Sequence, residues 1–146
     1  MILLDTNVLS ALMLATPDPQ VVEWLDRQPR TSIWTTSVNV FEIRLGLLIM
    51  PTGKRQTAIS LLFERLLTDT IQSRVAVFDA AAAQHAASLA AALQKAGRPR
   101  DPRDTMIAGI ALASRATLAT RNVKHFEDIA ASVVNPWEQV AKGEAL

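Results

Sequence analysis

Short apolar runs alternate with longer stretches of helical character along this chain, the pattern of a parallel sheet covered by helices. Runs at 2–4, 32–35, 75–78, 117–120 and 132–134 predict five strands. The first, Ile2-Leu3-Leu4, is apolar without alternation, as a strand buried on both faces should be. Helices are predicted over 6–14 and 19–27, divided by the Pro17-Asp18-Pro19 turn, over 37–49 with Ser37 as N-cap, and over 54–68 after Pro51-Thr52-Gly53. Asp79 reads as the cap of an alanine-rich helix that stops at Gly97, and Asp101-Pro102 opens a helix over 103–114. The alanines fit either simple helix propensity or close approach of another helix or subunit.

At 146 residues the chain is expected to form one domain, 1–146, burying roughly 70% of the surface its unfolded form exposes. The absence of cysteine excludes disulfides, thiolate zinc sites and cysteine nucleophiles, and fits a reducing compartment, by default the cytoplasm. The first fourteen residues are apolar, but no basic segment precedes them and Asp5 interrupts the run, unlike a signal peptide. No apolar stretch reaches the roughly 18 residues of a membrane span, so a soluble protein without membrane contact is expected. A net charge of +1 argues against a generally basic nucleic-acid coat. Two local groups stand out: Lys95, Arg98, Arg100 and Arg103 around Asp101 and Asp104, and Arg121 with Lys124. Alone they read equally well as solvated loop charges; beside the acids considered next they are expected to contact phosphate.

Three acids are candidates for chemistry. Asp5 would sit at the carboxyl end of a parallel strand, the edge where open α/β sheets bind ligands near a reversal of strand order. It suits a helix N-cap equally well. Asp101 and Asp104 fit the N-cap and third position of one helix; Asp101 suffices as the cap, leaving Asp104 free to face the sheet. Glu42 shares a helical stripe with Val38, Leu45, Gly46 and Ile49, which predicts that it faces the core. An ionised carboxylate there needs an arginine, a hydrogen-bond network or a metal. If the acids converge, two of them about 5 Å apart repel by roughly 3 kcal/mol at an effective dielectric of about 20, and a cation cancels this. All-oxygen donors, with no cysteine and no histidine pair at ligand spacing, select Mg²⁺ or Mn²⁺ over zinc and suit phosphodiester hydrolysis. Thr120 and Asn122, after a strand, are placed to hold a water or a phosphate oxygen, or to act as turn residues. His85 and His125 are poor catalytic candidates, His125 lying past the site. A dehalogenase-like nucleophile would want a second aspartate at Asn7, a receiver a lysine after a later strand, and a dinucleotide fold glycines near Asp5.

Asp5-Thr6-Asn7-Val8-Leu9, then Glu42, then Asp104-Thr105-Met106-Ile107-Ala108, then Thr120-Arg121-Asn122 with Phe126, and finally Pro136-Trp137 follow one another at separations that resemble a PIN domain, specifically the VapC-like and FitB-like toxins of bacterial toxin–antitoxin pairs. The resemblance spans nearly the whole chain. It implies a three-layer α/β/α fold with a mainly parallel sheet of about five strands, and a Mg²⁺-dependent endoribonuclease acting on RNA. It also implies a homodimer neutralised by a small antitoxin, whose N-terminal part binds DNA while its C-terminal segment lies across the active-site groove. By position, Asp5, Glu42 and Asp104 match the metal-binding catalytic set. Thr6, Thr120, Arg121 and Asn122 are candidates for positioning substrate or water. Asn122 stands where many members have a fourth acid, which weakens the case for a second fully coordinated metal. The rival expectation is a PIN-like module that binds an antitoxin or RNA and cleaves little.

Overall fold

Leu3 and Leu4 are neighbours in sequence, both fully buried, and belong to different hydrophobic cores, because successive strand side chains leave on opposite faces of a sheet. In the computed structural model, which describes residues 1–138, that divergence sets up the architecture. The expected domain's remaining residues, 139–146, lie outside the described residues. The strands are β1 (Ile2–Leu4), β2 (Ile33–Thr36), β3 (Val75–Ala76), β4 (Thr117–Ala119) and β5 (Ser132–Val134), all parallel in the order β3-β2-β1-β4-β5. Leu4 lies opposite Thr35 on one side and Ala119 on the other. Strand order therefore reverses beside β1, which puts the residue after it at the predicted ligand edge.

Six α-helices are described: α1 (Thr6–Leu12), α2 (Pro19–Asp26), α3 (Ser37–Ile49), α4 (Lys54–Arg65), α5 (Ala80–Lys95) and α6 (Pro102–Ser114). Leu4 packs with Val8, Leu9, Val21, Trp24, Ile43 and Phe63, so α1 to α4 cover one face. Leu3 packs with Ala82, Ile107, Ile110 and Leu118, so α5 and α6 cover the other. The three-layer fold is as expected. Gly109 of α6 permits the close approach of α5, since a Cβ there would lie 2.5 Å from the Ala82 carbonyl oxygen and 2.8 Å from the Ala86 Cβ. The alanine-rich helix is thus small-sided where α6 crosses it. Gly97 follows α5 at φ +70°, the left-handed conformation of a helix stop. Among the described residues, no helix is long and apolar enough to cross a membrane.

Several boundaries differ from the sequence reading for local reasons. Thr36, not Ser37, caps α3, its hydroxyl accepting from Asn39 N at 3.1 Å. The Ser37 hydroxyl instead accepts from Phe78 N at 3.2 Å, which helps turn the chain after the short β3. The helix predicted over 54–68 changes after Arg65 to a wider turn over Leu66–Thr70. The stripe assigned to Glu42 is corrected too. Val38 is buried, but Leu45, Gly46 and Ile49 are exposed, Ile49 by 73%. The face of α3 that packs inward carries Val38, Asn39 and Ile43. Apolar residues surround this helix, Phe41 and Leu48 being exposed as well, so periodicity alone could not select the buried face. Glu42 lies at the border between the two.

Candidate active site

Asp5 leaves β1 at its carboxyl end, and its backbone N–H extends the pairing with β4 by donating to Ala119 O at 2.9 Å. It both caps α1 and anchors a polar network. Its Oδ1 accepts from Thr6 N at 2.9 Å and Asn39 Nδ2 at 2.8 Å; its Oδ2 accepts from Thr120 Oγ1 at 2.7 Å and Asn7 Nδ2 at 3.3 Å. With four donors the carboxylate is held in a single orientation at only 6% exposure.

Asn39 is wholly buried and organises the next layer. Its Oδ1 accepts from the Thr36 hydroxyl at 2.5 Å, and its Nδ2, besides holding Asp5, donates to Thr6 Oγ1 at 3.0 Å. The Thr6 hydroxyl in turn donates to Glu42 Oε1 at 3.1 Å. A continuous chain of hydrogen bonds thus joins β2, α3 and α1 and ties Glu42 to Asp5. The other Glu42 oxygen lies 3.7 Å from Arg103 NH1, beyond a hydrogen bond.

Asp104 occupies the first turn of α6, behind the cap Asp101, which accepts from Arg103 N at 2.8 Å. Its Oδ2 lies 3.4 Å from His125 Nδ1. Burial raises the pKa of Glu42 above the usual carboxylate range, opposed by the Thr6 hydrogen bond, raised further by Asp5 and Asp104, and lowered by Arg103. Burial likewise raises that of Asp104, with His125 opposing and Asp5 adding to the rise. Glu42 therefore feels both aspartates and Asp104 feels Asp5, so the three acids share one electrostatic neighbourhood.

Among the described residues, no three Asp, Glu, His or Cys side chains come together tightly enough to form a ready-made metal cage. Repulsion favours separation, and the Asp5 oxygens already have donors. The donor chemistry nevertheless fits a hard divalent cation, being carboxylate oxygen throughout, with two of the three acids penalised for their charge.

Of the other expected residues, Thr6 and Thr120 enter the network through their hydroxyls, and Asn122 through its backbone N–H, which donates to Thr120 Oγ1 at 3.0 Å. The Arg121 N–H donates to Asn7 Oδ1 at 3.0 Å, and its guanidinium stacks over the Trp137 ring at 4.8 Å. Arg98 and Arg100 do not form an open phosphate patch. Both pair with Asp128, Arg100 at 2.6 Å, and their hydrogen bonds hold its pKa below the usual value. His125, expected to lie past the site, instead partners Asp104. Asn39 was not foreseen; its one sequence signal is its place three residues before Glu42 on the same helix.

Residues 2–132 match the sequence model of the PIN domain. The chain belongs to the PIN-domain family. Plasmid stability protein StbB of Pseudomonas syringae pv. tomato is 38% identical over 138 residues, which is 94% of this chain and 99% of the relative. VapC ribonuclease Y4jK of Sinorhizobium fredii is 37% identical over the same shares. The structure of FitAB bound to an IR36 DNA fragment is similar with a TM-score of 0.85 and 30% identity, covering 97% of this chain and 99% of that one. The relatives of this PIN domain thus carry StbB and VapC ribonuclease names, and a similar solved structure is a FitAB complex.

Proposed function

We propose that this PIN domain is a Mg²⁺-dependent endoribonuclease, with Mn²⁺ as a substitute ion, and the toxin component of a toxin–antitoxin module. The observation that carries this reading is the hydrogen-bonded tie of Glu42 on α3 through Thr6 and Asn39 to the fixed Asp5, with Asp104 on α6 close enough to feel Asp5. Burial first and the neighbouring acids second disfavour Glu42 and Asp104 as anions. An arrangement that penalises its own charges suits a site that acquires a cation. The ribonuclease name of the Sinorhizobium relative supports RNA as the substrate class. The proposal includes a cytoplasmic homodimer neutralised by a small antitoxin with a DNA-binding N-terminal part; the similarity to a FitAB complex bound to DNA supports a partner that binds DNA.

Asp5, Asp104 and Glu42 would hold the ion. Held there, such an ion would supply a lowered pKa for an attacking water and a positive charge against the negative charge building on the phosphodiester. Asn39, Asn7 and Thr120 keep Asp5 from rotating, so one acid is already aimed before substrate arrives. Thr6 fixes one oxygen of Glu42 and leaves the other for the ion or for orienting water. Hydrolysis leaves a 5′-phosphate and a 3′-hydroxyl.

Calorimetric titration of Mg²⁺ and Mn²⁺ into the wild type and Asp5→Asn, paired with cleavage of single-stranded RNA in metal and in EDTA, tests this. Metal uptake and cleavage that both fall in Asp5→Asn are expected. A second reading, a module that binds antitoxin or RNA and cleaves little, is favoured by Arg103 and His125 already standing beside Glu42 and Asp104. The same titration separates the two, since that module shows no metal-dependent difference.

A further inference from the structure

Trp137 lies outside the acid network, yet it is fixed on two sides. Its indole N–H donates to Asp18 Oδ2 at 2.9 Å, and its backbone N–H donates to Asn135 Oδ1 at 2.9 Å. Asp18 is itself immobilised, its other oxygen accepting from Gln20 N at the start of α2. The guanidinium of Arg121 rests over this anchored ring, 4.8 Å from its centroid.

The Arg121 backbone is held just as firmly. Its N–H donates to Asn7 Oδ1, and the preceding residue, Thr120, donates to Asp5. Arg121 therefore rises from the same network that holds the first acid. Its charge is not spent on that network: the side chains standing beside Glu42 and Asp104 are those of Arg103 and His125. Among the described residues no carboxylate lies within ion-pair distance of Arg121. Arg44, Arg98, Arg100 and Arg103 all have one.

A guanidinium lying on an aromatic ring loses little freedom when it binds, and its in-plane N–H fork remains open to a phosphate. An RNA chain approaching three acids is repelled by them, and a fixed cation at the rim offsets that repulsion. We propose that Arg121, oriented by Trp137, is a clamp for a backbone phosphate of single-stranded RNA beside the cleavage site. This rests on the nuclease reading. Arg121 touches substrate; Trp137 is a positioning residue.

Fluorescence anisotropy of a labelled single-stranded RNA in EDTA, over a range of salt, tests the clamp on the full chain, alongside KM and kcat in Mg²⁺. Arg121→Gln is expected to weaken binding about tenfold, to reduce the slope of log K against log salt by about 0.7, the share of one phosphate on a single strand, and to raise KM with kcat near wild type. Trp137→Leu should reproduce most of the loss with the arginine still present. Trp137→Phe, which keeps a ring, should recover most of it, and Arg121→Lys should recover the salt slope but only part of the affinity. An Arg121→Gln protein that melts lower yet binds RNA with unchanged affinity, slope and KM makes the pair a mere staple and overturns the clamp, while wild-type cleavage leaves the nuclease reading standing. Weakened binding of polyglutamate with RNA binding intact assigns Arg121 to an acidic protein partner and also overturns it. A wild type that neither binds nor cleaves RNA removes the nuclease reading and the clamp together.

Discussion

Asp5 and Asp104 present the same functional group to the same edge of the sheet under opposite conditions. Asp5 is surrounded by four donors from α1, α3 and the segment after β4, whereas Asp104 faces one imidazole at 3.4 Å and is pushed toward its neutral form by burial. One carboxylate is a structural keystone that also faces the site; the other is held in place by its helix and gains little from its charge. Hydrogen bonding and burial are thus distributed unequally among acids that sequence alone treats as equivalent.

Replacing each acid should expose that inequality. Asp5→Ala strands two amides, a hydroxyl and a backbone N–H, and is expected to cost about 3 kcal/mol, a fall of roughly 10 °C in Tm. A melt within about 2 °C of wild type would erase the contrast. Asn39→Ala should rank next, at about 2 kcal/mol, because it removes partners of Thr36 and Asp5 in a fully buried setting. If Asn39 aims Asp5 as described, Mn²⁺ affinity measured by calorimetry falls by about 10–100-fold as well. Asp104→Ala should leave Tm within about 2 °C of wild type while abolishing RNA cleavage; a large loss of stability with cleavage retained would make Asp104 a helix cap and nothing more.

The smallest effect is the pH dependence. Glu42 has a raised pKa in the folded state, so its favourable contribution is complete below its ordinary value of 4.5 and is lost as pH rises through the folded-state value. Asp104 follows the same sign from 3.8. Glu42→Gln should therefore be more stable than wild type near pH 7 without metal, by under about 1 kcal/mol, and this advantage should shrink as the pH falls toward about 4.5. Thermal melts at several pH values, with and without Mg²⁺, check this. An advantage that grows on acidification would contradict the raised pKa.

The parallel sheet and the place of Asp5 at its carboxyl edge were legible because Ile2-Leu3-Leu4 ends in an aspartate and the later apolar runs lie at crossover spacing. Glu42 was singled out as a candidate from a mistaken stripe, since an apolar helix offers more than one face as the buried one. Asn39, Asn7 and Thr36 were harder to find: short polar side chains near helix starts look like caps, and only the closed structure shows them converging on Asp5. The contact between His125 and Asp104, and the pairing of Arg98 and Arg100 with Asp128, join separate segments across an exposed rim. Neither periodicity nor motif spacing encodes such tertiary meetings.

Gly109 and Asp104 stand five residues apart on α6, about 7.5 Å along the axis at 1.5 Å per residue. Because the helix is stiff over that length, whatever sets the distance between α6 and α5 at the glycine also sets where the carboxylate is aimed. A methyl group at Gly109 would meet the Ala82 carbonyl and lever the rod outward. The accuracy of the acid edge thus depends on the bare backbone of a residue with no chemistry of its own, buried on the far side of the sheet from α1.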